Sequence, residues 1–465
     1  MIHFFKRKFG LLMVCLLLSV FPMTVYAEDN TGTYVSGTKI NRVGVAGMTP
    51  EEAKAMVESF YNGTYNLTIR GKDQKEAVIQ GKDIGYHVEL TGDLTGILTK
   101  QNEEGRISGP SVDHSYELSM TAAYDEAALA DKLASLPMVT QATDTSDAYI
   151  SAYQEGAGFT IVPEVQGTEI DMEKLTAAVK EALGAGSQEL DLGQKECYVT
   201  IQTYADNEML VKQCEAMNRS ASMNVTYLMG SEKEVLEGPV IASWIVAGSG
   251  EQVTVDREKA AAYVRDLAAK YDTAGTTRTF HTSRGTDVAL TGPYGWKIDQ
   301  AAETEALIGA ILAGESLERE PVYSSTAASR DGNDYGTTYV EADIAAQHVY
   351  FYQDGQLVWD SPCVTGNLSK NYGTPDGIYG LYYKQQDKVL RGPKQADGTY
   401  EYESPVKYWM PFNGGIGFHD ANWRSKFGGE IYKTNGSHGC VNLPPEKAKI
   451  LYGYLYKNVP VICHS

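Results

Sequence analysis

Ser437-His438-Gly439-Cys440-Val441-Asn442, with Gly417-Phe418-His419-Asp420 upstream and a helix-like stretch from Pro444 downstream, decides the reading of this 465-residue chain. It gathers two imidazoles and a thiol in a short span. Attack by a thiol requires the thiolate, yet a free cysteine has a pKa of about 8.5, so a neighbouring imidazole has to take the proton or stabilise the ion pair. His419 and His438 are the two candidates. Gly439 lets the backbone approach a substrate, and the amides of Gly439 and Cys440 can aim at a developing oxyanion. Two plainer readings compete. One is a structural cysteine beside surface histidines. The other is a zinc site with Asp420 or His464 as fourth ligand, against which His-Gly-Cys sets two ligands unusually close.

Around this segment the pattern is strand-rich. His348-Val349-Tyr350-Phe351-Tyr352, the turn Gln353-Asp354-Gly355 and Leu357-Val358-Trp359 predict a hairpin. Residues 324–338 carry almost no large apolar side chains and predict a linker. Further upstream, Phe159-Thr160-Ile161 through Gly186 and Trp296-Lys297-Ile298 through Gly314 share a β-like entry, an acidic stretch and a Leu-rich helix, with Leu175 and Val179 matching Leu307 and Ile311. Asp256 starts another helix. Near the beginning, Thr49-Pro50-Glu51-Glu52 reads as a capping box, with Ala53, Met56, Val57 and Phe60 as the buried face of the ensuing helix, and Tyr65 to Ile69 as a strand.

The first residues have a different character. Lys6, Arg7 and Lys8 precede the apolar run Gly10 to Val20, and Val25-Tyr26-Ala27 offers the small residues of an export cleavage site, so residues 1–27 predict a signal peptide or N-terminal anchor. The chain from Glu28 onward is expected outside the cytoplasm, secreted or tethered, at the cell wall. Hydrophobic residues make up 43% and charged residues 22%, a balance that predicts folded domains. The net charge of −20 argues against nucleic acid as a partner. Beyond Cys15, five cysteines remain, and an odd count outside the cytoplasm predicts a free thiol, assigned to Cys440; Cys197 with Cys214 and Cys363 with Cys463 are conceivable pairs. A sequon at Asn435 abuts the proposed site, where a glycan would block access, which favours a bacterial source.

Phe418-His419-Asp420-Ala421-Asn422-Trp423-Arg424 followed by Ser437-His438-Gly439-Cys440-Val441-Asn442 resembles the L,D-transpeptidase catalytic signature, and the likeness extends to Gly373-Thr374-Pro375-Asp376-Gly377 and Tyr408-Trp409-Met410-Pro411. It covers roughly 339–465. The resemblance implies a β-rich, sandwich-like domain that joins peptidoglycan stems between third residues through a cysteine acyl-enzyme. Cys440 matches the nucleophile, His419 the base oriented by the backbone carbonyl of Asp420, and His438 a second site histidine. Gly439 matches the oxyanion-loop position, Ser437 and Asn442 its polar supports, and Trp423, Arg424, Tyr408 and Trp409 the substrate-binding surface. Donor and acceptor stems are the implied partners, carbapenems are expected to acylate Cys440, and neither metal nor organic cofactor is implied. Val43 to Thr49 and the two middle units look like the peptidoglycan-binding modules that accompany this family, which would contact glycan.

The expected architecture is a multidomain α+β chain: a leader at 1–27, α+β modules at 28–115, 116–205 and 206–323, the linker at 324–338, and the catalytic domain at 339–465. An L,D-carboxypeptidase, in which water resolves the acyl-enzyme, and a non-catalytic wall-binding protein are the alternative functions.

Overall fold

The computed structural model describes residues 31–107 and 113–465, so the expected leader, with Cys15, lies outside the described residues. Among these, no helix is long and apolar enough to cross a membrane. The chain divides into two compact units: residues up to Asp147 together with Glu164–Gln202, and Ala148–Pro163 together with Thr203–Ser465.

In the first unit the capping box forms as expected. Thr49 Oγ1 accepts from the Glu52 amide at 3.2 Å and Glu52 Oε2 accepts from the Thr49 amide at 2.9 Å, opening the helix Pro50–Thr64. Its buried face is Ala53 and Val57, with Tyr61 packed alongside; Met56 and Phe60, expected inside, are exposed. The i, i+4, i+8 row of Ala53, Val57 and Tyr61 won over the row through Met56 and Phe60, because only one stripe of a helix can meet the core.

Both units contain the same three-stranded sheet. Asn66–Arg70 pairs antiparallel with Glu76–Gln80 and parallel with Glu189–Asp191. Val225–Met229 pairs antiparallel with Glu232–Leu236 and parallel with Leu317–Arg319. Helices Met172–Gly184 and Gln300–Ala313, capped by Asp171 and Asp299, feed the last strand of each. Leu175, Val179, Leu307 and Ile311 on these helices are fully buried, each contributing about 1.5–3 kcal/mol of transfer free energy. The internal similarity therefore extends well beyond the segments that carried it in the sequence. It also moves a boundary. Glu189–Asp191 completes the sheet begun by Asn66–Arg70, so residues on both sides of the expected 115/116 division share one core.

The hairpin Tyr149–Ile150/Ile161–Val162 leaves the first unit and belongs to the second, where Phe159 packs with Cys214 and Met217 and the Asn218 side chain bonds both backbone groups of Phe159. The hairpin Thr277–His281/Asp287–Thr291 reaches onward in the same manner. Its Phe280 and Leu290, with Tyr294, form a cluster with Tyr335, Ile378 and Ile462 of the C-terminal region.

Residues 324–338, expected as a linker, are packed. Arg278 pairs with buried Asp334 at 2.6 Å, Trp296 Nε1 donates to the Ser329 carbonyl at 2.6 Å, and the Arg330 guanidinium lies 4.9 Å from the centre of the Trp296 ring. Polar composition misled here because the segment finds packing and ion-pair partners far away in sequence.

The final domain is β-rich. Strands β1 (Tyr339–Asp343), β2 (His348–Gln353), β3 (Gln356–Pro362), β4 (Gly377–Gly380) and β9 (Pro460–His464) form a sheet in the order β3-β2-β1-β9-β4; β5 (Gln385–Arg391), β6 (Glu403–Asn413), β7 (Ile416–Asp420) and β8 (Val441–Leu443) form a second in the order β5-β6-β7-β8. The expected hairpin is β2–β3, its turn residues Asp354 and Gly355 at φ 51° and 76°. Side chains from both sheets, among them Val340, Phe351, Met410, Phe412 and Phe418, make one core. All five described cysteines are free, including the two conceivable pairs.

Candidate active site

Strands β7 and β8 run parallel, with Phe418 opposite Val441 and His419 opposite Asn442. Alternation then sorts the signature into two faces. Phe418 and Val441 enter the core, whereas His419, Asn442 and, two positions before it, Cys440 line one pocket of about 210 Å³ with Leu390, Tyr402, Ser404, Trp423, Arg424 and Gly436 to His438.

His419 is buried, its Nδ1 2.9 Å from the Asp420 carbonyl. A carbonyl only accepts, so Nδ1 carries the proton and Nε2 holds the lone pair of the neutral ring. The Asp420 carboxylate is committed elsewhere: Oδ1 accepts the Tyr408 amide at 2.8 Å and ties β7 to β6. Burial lowers the His419 pKa below 6.5, against the opposing Asp420 carbonyl. Burial also pushes the Cys440 thiol up to about 11, opposed by a hydrogen bond to the Gly417 backbone, while Sγ lies 3.5 Å from the Gly415 carbonyl. Both groups are therefore neutral at rest near pH 7, rather than a preformed ion pair.

The loop before Cys440 is held from several sides. Ser437 Oγ donates to the Cys440 carbonyl and accepts from the Gly439 amide at 3.1 Å, so the Gly439 amide expected at the oxyanion is turned to Ser437. Thr374 Oγ1 donates to the Gly439 carbonyl at 2.7 Å. Gly439 has φ 118°, and a Cβ there would stand 3.1 Å from the Ile416 side chain, so the position requires glycine. Backbone bonds join Asn442 to Val364 in both directions. The buried Asn442 Oδ1 and Arg424 Nε have no hydrogen-bond partner among the described residues.

His438 lines the same pocket as Cys440. Its ring lies between Tyr372 and Tyr402, 4.6 Å from each centroid, and its Nε2 is 3.5 Å from Glu401 Oε1. Trp423 is half exposed with its ring 5.9 Å from His419, and Trp409 is buried on the same imidazole at 6.0 Å. Tyr408 does not join the pocket. Its ring packs against Tyr452 at 5.2 Å, and Trp409 supports His419 rather than facing a ligand. His464, weighed as a metal ligand, is remote from this pocket. It bonds Glu341 at 2.9 Å beside Asp343, and Ser283 and Arg284 of the preceding hairpin occupy those two carboxylates. Sequence reasoning missed Tyr372, Leu390, Tyr402 and Ser404. The Asp397-Gly398 turn followed by the alternating Tyr400 and Tyr402 was the available hairpin signal for the last three.

A cysteine and a buried, backbone-anchored imidazole thus line one pocket of a two-sheet β domain, a pair of groups chemically suited to thiol nucleophilic chemistry. Residues 337–463 match the L,D-transpeptidase catalytic domain, and residues 100–191 and 240–319 match a peptidoglycan-binding domain. The Ldtfm–avibactam carbamoyl enzyme is 36% identical over 55% of this chain and 99% of its own, with a TM-score of 0.46. A cysteine-to-serine mutant of the Enterococcus faecium L,D-transpeptidase is 35% identical over 54% of this chain and 100% of its own, at 0.45. The E. faecium catalytic domain acylated by ertapenem is 41% identical over 28% and 98%, at 0.25. No curated protein matches. The chain belongs to the L,D-transpeptidase family.

Proposed function

We propose that this protein forms 3-3 cross-links between peptidoglycan stems through a Cys440 acyl-enzyme. The observation that carries the reading is the placement of Cys440 and His419 on one face of two adjacent parallel strands, with the imidazole fixed by the Asp420 carbonyl. His419 Nε2 takes the thiol proton as Sγ attacks the carbonyl before the terminal D-alanine of a donor stem. The C–N bond breaks, the proton passes to the departing amine, and a thioester remains. An amine from a second stem then attacks the thioester; a C–N bond forms, the C–S bond breaks, and the sulfur regains its proton by way of His419. With the Gly439 amide held by Ser437, oxyanion support falls to the Cys440 amide. The ertapenem-acylated relative supports β-lactam acylation at Cys440. The upstream modules hold wall glycan, and the protein works outside the membrane.

The test is mass spectrometry of residues 28–465 and of Cys440→Ala with muropeptides ending in tetrapeptide stems. Cysteine-dependent dimers joined through third residues are expected. Tripeptides without dimers would point to a carboxypeptidase, and no change with either form would refute the enzyme reading.

A further inference from the structure

We infer that Glu401 is the specificity residue that receives the cationic amine of the acyl acceptor and so favours transfer to amine over transfer to water; this rests on the transpeptidase reading above. The pocket lining contains Arg424 and two imidazoles but no carboxylate. The carboxylate that adjoins it is Glu401, 3.5 Å from His438 and next in sequence to Tyr402, which lines the pocket and stacks on that ring. The other acidic groups of the β5–β6 hairpin are committed. Asp387 pairs with Lys407 at 2.7 Å, Glu403 with Arg391 at 2.7 Å, and Asp397 accepts from Thr399. Glu401 has no lysine or arginine ion-pair partner among the described residues, and it stands beside the site. Its backbone is fixed: the Glu401 amide donates to the Pro393 carbonyl at 3.0 Å, and the Gly392 amide to the Tyr402 carbonyl at 3.0 Å.

An alkyl amine with a pKa of about 10.4 reaches the acyl-enzyme as an ammonium ion. The Glu401 carboxylate, beside the His438 imidazole and without a lysine or arginine partner among the described residues, concentrates that cation and holds it by a charge-assisted hydrogen bond, whereas water gains nothing from it. The held ammonium releases one proton to solvent, its nitrogen attacks the thioester carbonyl, the C–N bond forms as the C–S bond breaks, and the second proton passes through His419 to the Cys440 sulfur. Arg424 supplies the opposite charge in the same pocket, so donor carboxylate and acceptor ammonium have separate counter-charges.

The experiment uses the full chain with a disaccharide-tetrapeptide as donor and two acceptors at pH 7.5: the same muropeptide, cationic, and hydroxylamine, neutral. Dimer, hydroxamate and tripeptide are counted by mass spectrometry for the unaltered enzyme, Glu401→Gln and Glu401→Asp. Glu401→Gln should raise KM for the muropeptide acceptor about 5- to 20-fold. It should leave kcat for dimer formation within about twofold and the hydroxamate-to-tripeptide ratio unchanged, and Glu401→Asp should recover part of the loss. An unmoved acceptor KM, or equal losses with both nucleophiles, would overturn the assignment. Dimers that form independently of Glu401 refute this inference alone; tripeptide with no dimer from the unaltered enzyme refutes the transpeptidase reading and this inference with it.

Discussion

The Nδ1 of His419 is bound to the backbone carbonyl of Asp420 and not to a carboxylate, and burial of the ring outweighs the rise in basicity that the Asp420 carbonyl and the nearby Asp420 charge give it. With burial holding its pKa below 6.5, the ring stays unprotonated at neutral pH, and it keeps its base form as pH falls until that lowered value is reached. The acid limb of acylation by a β-lactam is therefore expected below pH 6.5, read from stopped-flow rates across pH. An acid limb above 6.5 would contradict a neutral resting pair. The same sign governs folding: the unfolded chain binds this proton more readily, so acidification through that range lowers stability.

Cys440 should react slowly with iodoacetamide in the absence of substrate, its alkylation rising towards a midpoint near the thiol pKa of about 11. Rapid alkylation at pH 7 that falls in His419→Ala would instead reveal a thiolate-imidazolium pair.

Replacing Thr374 with valine removes the donor to the Gly439 carbonyl and leaves that buried acceptor unpaired, at a cost of about 1–3 kcal/mol. Because the lost bond positions the residue before the nucleophile, acylation should fall along with the melting temperature, whereas a purely structural loss would move only the latter. Gly439→Ala should be worse in rate, since alanine is strained at φ 118° and meets Ile416.

Asp334→Ala should destabilise the second unit by about 3–5 kcal/mol, because it removes the counter-charge of Arg278, whose side chain is only 13% exposed and keeps only backbone carbonyls as partners. Denaturant unfolding followed by tryptophan fluorescence checks this; a change within about 0.5 kcal/mol, the scale of an ordinary surface substitution, would show that the segment is a tether after all.

What the sequence disclosed depended on how local each signal was. The capping box at Thr49 and the Asp354-Gly355 turn are short-range patterns, and both were legible. The anchoring of His419 by Asp420 came from the family resemblance and could not have been read from spacing. Tyr408 was misplaced because aromatic character does not tell which face of β6 meets Tyr452. The linker was misread because polarity conceals Asp334 from its partner Arg278, 56 positions earlier. Tyr372 and Glu401 reach His438 only through the packing of loops distant in sequence, which no local pattern encodes.

The onward-reaching hairpin at Thr277–Thr291 bears on how mechanical load travels. A wall under turgor pulls on whatever grips it. With Phe280 and Leu290 wedged beside Ile378 and Ile462, and Arg284 hooked on Asp343, tension applied at the preceding module would reach the β sandwich through side-chain contacts as well as through the single covalent crossing. Under the proposed function, a wall strand held by the module would be coupled to the catalytic domain through those contacts, a stiff arm instead of a leash.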